Sequence, residues 1–153
     1  MKIFVFDLDF TLWNAGDTFC SETQPPYVWR KGKLMDKEGR WIRLYPNTID
    51  VLEKLVSENK IIVAASRTHQ PSWANKLLEL FDIDKHFACK EIYAGSKIIH
   101  LKKIHELFNV PYNQIVFFDD EKRNIDDVSS LGANCILVKG GITLEYINIM
   151  TEK

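Results

Sequence analysis

Cysteine is scarce in this chain of 153 residues: Cys20, Cys89 and Cys135 are the whole complement. An odd number without close spacing builds neither a disulfide framework nor a cysteine-rich zinc site. Reduced thiols are expected, with Cys135 in a core strand. Long hydrophobic runs are also missing, since no apolar stretch reaches the roughly 20 residues that a membrane helix needs. The first apolar run begins at Ile3 with no leader pattern before it, so the expectation is a soluble, cytoplasmic protein with no membrane partner. Charge of one sign does not dominate either. Twenty Lys and Arg face 21 Asp and Glu, a net charge of -1, which gives no electrostatic reason to expect nucleic acid as the main partner. His69, His86, His100 and His105 lack metal-ligand spacing, and only His69 falls beside other polar groups of interest. With 46% hydrophobic and 27% charged residues, the chain can bury one ordinary core, and residues 1–153 read as a single domain.

Apolar runs and helical patterns alternate in the order that builds an α/β protein on a parallel sheet with right-handed crossovers. Strands are expected at residues 2–6, 61–65, 115–118 and 135–138, with a weaker one near Ile92. Helices are expected from Asn47 or Thr48 through Ser57, from Pro71 to about Leu80, and from just after Ser96 to about Phe108. Two more are expected at 120–131 and 143–150. Residues 14–45 break this pattern: Pro25-Pro26, three glycines and several aromatics replace helical periodicity. This segment reads as an insertion, a twisted β-hairpin or flap leaving the first strand. Long loops at such an edge often act as lids or binding loops. Trp13, Tyr27, Trp29 and Trp41 are placed there either to pack on the sheet or to stack on a substrate ring.

The chemistry-bearing residues fall at the carboxyl ends of the expected strands, where ligands of parallel sheets bind. Ile3-Phe4-Val5-Phe6 stops at Asp7, and Asp9 follows two residues later, where period-2 geometry would return a side chain to the same side. At about 4 Å and an effective dielectric near 20, two carboxylates repel by about 4 kcal/mol, so a cation or a proton must intervene. A hard divalent metal is the natural inference. The next core strand ends in Ser66-Arg67-Thr68, hydroxyls and a fixed cation before a helix, suited to phosphate oxygens. Another ends in Asp119-Asp120-Glu121, and either Asp119 or Asp120 would complete an oxygen-ligand magnesium site with the first two acids. Lys97 opens a helix, where the dipole disfavours it, so a nearby anion is expected.

These pieces resemble the haloacid dehalogenase superfamily, whose signature is a strand followed by Asp-x-Asp-x-Thr. The likeness spans nearly the whole chain: Phe6-Asp7-Leu8-Asp9-Phe10-Thr11-Leu12-Trp13, Ala64-Ala65-Ser66-Arg67-Thr68, Glu91-Ile92-Tyr93-Ala94-Gly95-Ser96-Lys97, and the run from Phe117 through Asp119-Asp120 and Asn124 to Val128. They look like the small magnesium-dependent phosphatase branch. The resemblance implies a Rossmann-like three-layer fold with a small flap and no large cap domain. It also implies Asp7 as nucleophile, Asp9 as general acid and base, and Thr11 as support for their geometry at the phosphate site. Ser66 would hold the transferring phosphoryl group and Lys97 would offset charge. Magnesium would take Asp7, the Asp9 backbone carbonyl and Asp120, with Asp119 behind Asp120 or in its place. Asn124 would order the last loop, and Arg67 would orient the substrate.

The expected reaction is hydrolysis of a phosphate monoester, on phosphotyrosine or another phosphoprotein or on a phosphosugar, through an aspartyl-phosphate. In such a loose transition state the protein mainly positions groups and stabilises charge. Two alternatives share the ingredients. A receiver-type phospho-acceptor switch would use Asp7, with Lys139 after the last strand resembling the receiver lysine, but its acid pair belongs on the first strand and Asp9 has no role in it. A phosphotransferase or phosphomutase would need a way to exclude water, for which only the flap is available.

Overall fold

A computed structural model describes residues 1–151. The element order is β1 (Ile3–Phe6), β2 (Trp13–Asn14), β3 (Val28–Arg30), β4 (Lys33–Met35), β5 (Trp41–Leu44), α1 (Thr48–Ser57), β6 (Ile61–Ser66), α2 (Pro71–Leu80), β7 (Cys89–Ile92), α3 (Lys97–Phe108), β8 (Ile115–Asp119), α4 (Lys122–Ser129), β9 (Asn134–Leu137) and α5 (Leu144–Thr151). The first, sixth, seventh, eighth and ninth strands form one parallel sheet in the order β7-β6-β1-β8-β9. The chain builds outward from β1 in one direction and then returns to build in the other. That reversal opens a crevice at the carboxyl end of β1.

Both faces of the sheet are covered, which explains why β1, β6 and β8 read as unbroken apolar runs. Phe4, Phe6, Ile62, Ala64, Val116 and Phe118 pack with α1, α2 and α5 residues such as Leu52, Leu77 and Ile147. Their sequence neighbours Ile3, Val5, Val63, Ala65 and Phe117 pack with Leu101 and Ile104 of α3 and Val128 of α4. The pairing Phe6 opposite Phe118 lets the two rings stack 4.8 Å apart. The edge strands β7 and β9 are only partly buried, and β7 is the one with the weaker apolar signal.

The insertion is more than a hairpin. Strands β2 to β5 form a four-stranded antiparallel sheet in the order β2-β5-β4-β3. Leu34 and Ile42 on its inner face join the same core as Phe4 and Phe6. Buried Asp36 sets the turn before β5 by accepting the backbone N–H groups of Gln24, Glu38 and Arg40 at 2.8–2.9 Å. The helix expected at 120–131 is shorter, at Lys122–Ser129, because Asp119 and Asp120 belong to the strand end and the following turn. No helix of the described residues is long and apolar enough to cross a membrane.

Candidate active site

Four chain segments converge at the carboxyl end of β1. Asp7, immediately after the strand, is still tied to the sheet by its N–H donating to the Phe118 carbonyl at 3.0 Å. The chain then folds back on itself: the N–H groups of Thr11, Leu12 and Trp13 all approach the Leu8 carbonyl, and Phe10 takes a left-handed φ of 63°. Asp9 therefore does not lie on a strand, and the period-2 argument for its side does not apply. The tight loop brings it to the cleft instead. Its Oδ1 accepts from the Trp13 indole N–H and from the Cys20 backbone N–H, each at 2.8 Å.

Lys97 opens α3, but its side chain is 1% exposed. Its ammonium donates to Asp7 Oδ1 at 3.1 Å, to Asp119 Oδ2 at 2.8 Å and to the Ala65 carbonyl at 2.7 Å. The nearby anion that the helix position called for is thus a pair of carboxylates. Asp119 is fully buried and its oxygens are both engaged, since Oδ1 accepts from the Glu121 N–H and Oδ2 also accepts from the Asn124 amide. Asn124 in turn accepts from Arg67 Nη1 at 3.0 Å.

Asp7, Asp119 and Asp120 can each place an oxygen within 4.8 Å of the others. Burial, and the charges of Asp119 and Asp120, push the Asp7 carboxyl well up despite Lys97. Burial pushes Asp120 up to about 6, with Asp119 adding to the effect. Three crowded carboxylates with one ammonium leave two negative charges uncompensated, and the donors are all hard oxygens. That combination fits a divalent cation of the magnesium type. Asp120 has the carboxylate least committed to protein donors, so it fits a direct ligand better than Asp119 does.

A cleft of about 370 Å³ opens over this cluster, lined by Asp7, Asp9, Ser66, Arg67, Lys97 and Asn124 together with Phe19, Glu22, His69 and Arg123. Ser66 is buried and its Oγ accepts from the Thr68 N–H at 3.2 Å. Thr11 does not line the cleft. Its hydroxyl is buried without a hydrogen-bond partner, while its carbonyl accepts from the Ile142 N–H at 2.9 Å, so it braces the loop through its backbone. Lys139 lies outside the cleft, with its N–H on the Tyr146 hydroxyl. Of the two roles left open for the aromatics, the structure favours packing: Trp13 is fully buried, and neither Tyr27, Trp29 nor Trp41 lines the cleft. Phe19 does, half exposed and edge-on to Phe10.

Several supporting groups escaped the sequence. The Cys20 contribution is a backbone N–H, which no residue pattern encodes. Trp13, four residues after Asp9, carried a readable signal only as an apolar residue. His100 is fully buried, stacked on Tyr93 at 4.3 Å. Its ring nitrogens lie 2.8–3.0 Å from the carbonyls of Ser66, Tyr93 and Ser96, locking the start of α3, and so Lys97, to the end of β6.

Comparison with known proteins agrees with this geometry. The family model described as Acid Phosphatase matches residues 1–151. The human protein named Magnesium-dependent phosphatase 1 is 44% identical over 149 residues, covering 96% of this chain and 83% of its own. Among solved structures, a Clostridium difficile protein superposes with a TM-score of 0.75 at 18% identity, covering 97% of each chain. A Bacteroides fragilis phosphatase domain solved with magnesium gives 0.63 at 19% identity, covering 88% of this chain and 35% of that one. The chain belongs to the acid phosphatase family within the haloacid dehalogenase superfamily, and it is a magnesium-dependent phosphatase, a hydrolase of phosphate esters.

Proposed function

We propose that hydrolysis proceeds through an aspartyl-phosphate on Asp7 and that the substrates are monoesters of phosphotyrosine, other phosphoproteins or phosphosugars. The observation that carries the reading is the buried Lys97 ammonium on Asp7 Oδ1 and Asp119 Oδ2, which holds a carboxylate in place at the floor of an open cleft. An anion attacks an anion here, so fixed positive charge at the point of attack is the main requirement. Asp7, Asp120 and the Asp9 carbonyl would hold magnesium, which when bound would supply further positive charge beside the phosphoryl group. The Ser66 hydroxyl and Arg67 hold the phosphoryl oxygens of the substrate.

The Asp7 oxygen bonds to phosphorus as the ester phosphorus–oxygen bond breaks, and Asp9 gives its proton to the leaving oxygen. Asp9 then takes a proton from water, whose oxygen displaces Asp7 and releases inorganic phosphate. Burial raises the Asp9 carboxyl while the Trp13 and Cys20 donors oppose that shift, a balance suited to a group that must both give and take a proton. The leaving group meets Phe19, Glu22 and His69, a mixed wall compatible with an aromatic ring or a polyol.

The test is phosphate release from p-nitrophenyl phosphate with magnesium, with EDTA, and with Asp7→Asn and Asp9→Asn proteins. Magnesium-dependent turnover that both substitutions abolish is expected, followed by turnover of phosphotyrosine peptides or phosphosugars. Turnover retained by Asp7→Asn in saturating magnesium rejects the covalent step. Stable labelling of Asp7 by acetyl phosphate without release of phosphate would mark a phospho-acceptor switch instead.

A further inference from the structure

The outer face of the flap sheet carries two cross-strand rows. Val28 pairs with Met35 and Met35 with Trp41, which makes an apolar row. Arg30 pairs with Lys33, and the same register brings Arg43 beside Lys33, which makes a cationic row. Alternation sends Leu34 and Ile42 inward, fully buried. Between residues 28 and 43, Arg30, Lys31, Lys33, Lys37, Arg40 and Arg43 face only Asp36 and Glu38, in a chain whose net charge is -1.

Like charges directly opposite one another weaken a sheet. Arg30, Lys33 and Arg43 nevertheless form no ion pair with an acidic group among the described residues. Instead the Lys33 ammonium and the Arg43 guanidinium lie 4.4 and 4.5 Å from the Trp41 ring centre. The ring holds two cations at the surface, where an incoming anion would find them already ordered.

Strand β3 lies at the edge of this sheet and pairs only with β4. Lys31 and Gly32 both have positive φ, 51° and 78°, as a two-residue hairpin turn requires. The flanking residues Arg30 and Lys33 are then the hydrogen-bonded pair, and Trp29 at the next position turns its N–H and C=O toward the open edge. A polypeptide strand is the ligand that completes such an edge. A second copy of this chain would set its own basic strand against Arg30, so self-pairing is disfavoured. A hollow of about 340 Å³ lined by Pro26, Val28, Arg30, Met35 and Lys37, among others, adjoins the edge and suits an apolar side chain.

We propose that this face docks an extended acidic polypeptide, which pairs its backbone with β3 and sets two side chains, two residues apart, on the outer face: a carboxylate beside Arg30 and Lys33 and an apolar group beside Val28 and Met35, with Arg43 adding to the positive field behind them. None of these residues lines the catalytic cleft, so the site stands independently of the chemistry above.

Fluorescence anisotropy with a labelled extended peptide that carries glutamate and leucine two residues apart, so that both fall on one face of the strand, tests this. A single-stranded oligonucleotide of equal charge and phosphatidylserine vesicles run alongside. Saturable peptide binding that weakens with salt is expected. Lys33→Glu should lower affinity at least about tenfold, without lowering the melting temperature, because the new carboxylate sits between Arg30 and Arg43. The double variant Arg30→Gln, Arg43→Gln repeats the test without charge reversal. Methylation of alternate peptide nitrogens should abolish binding. The proposal is overturned if the oligonucleotide or the vesicles bind as tightly as the peptide, or if no saturable peptide binding occurs. Full affinity in a folded variant, or for the methylated peptide, overturns it equally.

Discussion

Asp9 is oriented by donors from Trp13 and Cys20. Trp13 and the Cys20 backbone both donate to Oδ1 at 2.8 Å, and the Cys20 thiol also lies against the carboxylate. A carboxylate held in this way keeps a fixed orientation for proton transfer, which is where much of the benefit of general acid catalysis lies. Trp13→Phe keeps a buried ring and removes the donor. Its expected effect is a fall in kcat of about tenfold to a hundredfold with KM nearly unchanged. Trp13 opposes the rise of the Asp9 carboxyl, so its loss should also move the pH limb set by that group to higher pH. Steady-state kinetics across pH checks both, and an unchanged limb would make Trp13 a packing residue only. The same loop explains what the sequence could show here. Asp7, Asp9, Ser66, Lys97 and Asp120 were legible because charge or hydroxyl at a strand end has no use in a core. The partners of Asp9 were not, because one is a backbone group and the other a tryptophan that reads as apolar.

The catalytic loop is clasped from outside by two connections. The Tyr45 N–H, just after β5, donates to the Leu12 carbonyl, and the Ile142 N–H, between β9 and α5, donates to Thr11. Gly141 has φ +90°, and a Cβ there would fall 2.2 Å from the Tyr45 ring. The clash is with the base of the ring, so a small rotation does not relieve it. Gly141→Ala should therefore cost roughly 2–4 kcal/mol from strain and collision together, or about 5–10 °C in Tm for a chain of this size. Thermal melting followed by circular dichroism measures it, and a Tm within a degree of the parent would mean that the two loops do not bear on each other. Element boundaries tell a related story. The helix Pro71–Leu80 starts where an N-terminal proline marks it; Thr48–Ser57 starts at the expected position, but neither candidate cap acts as one, since Asn47 Oδ1 accepts from the Leu144 N–H and the Thr48 hydroxyl donates to the Leu12 carbonyl. Local pattern predicts only a hairpin where the flap sheet has four strands, because β2 is two residues long and takes its identity from pairing with β5. Such a strand exists through a long-range partner, and local pattern cannot specify it.

Across the molecule, the fold gathers Asp7, Asp119 and Asp120 from opposite ends of the chain around one ammonium, at a cost that magnesium is placed to offset. Burial is the largest cause of the rise in both Asp7 and Asp120, and neighbouring carboxylates add to it. Folding thus lifts the Asp120 carboxyl from an ordinary 3.8 to about 6. A folded pKa above the unfolded one means that the fold favours the protonated acid. In the absence of metal, this contribution to stability is fully present below about pH 4 and is lost as the pH rises through about 6. Magnesium competes with those protons, so its stabilisation should be small at pH 5 and should grow toward pH 7. At a concentration near 100 times its Kd, it should supply about 2.7 kcal/mol, which corresponds to about 5–10 °C in Tm. Asp120→Asn removes one of the crowded charges. The metal-free variant should melt above the metal-free parent at pH 7, and most of the magnesium-dependent gain should disappear. Calorimetric melting of both proteins at the two pH values, with magnesium and with EDTA, decides the matter. An equal magnesium effect at pH 5 and pH 7 would show that the carboxylates are not held apart from their ordinary titration, and an undiminished effect in Asp120→Asn would move the metal to Asp7 and Asp119.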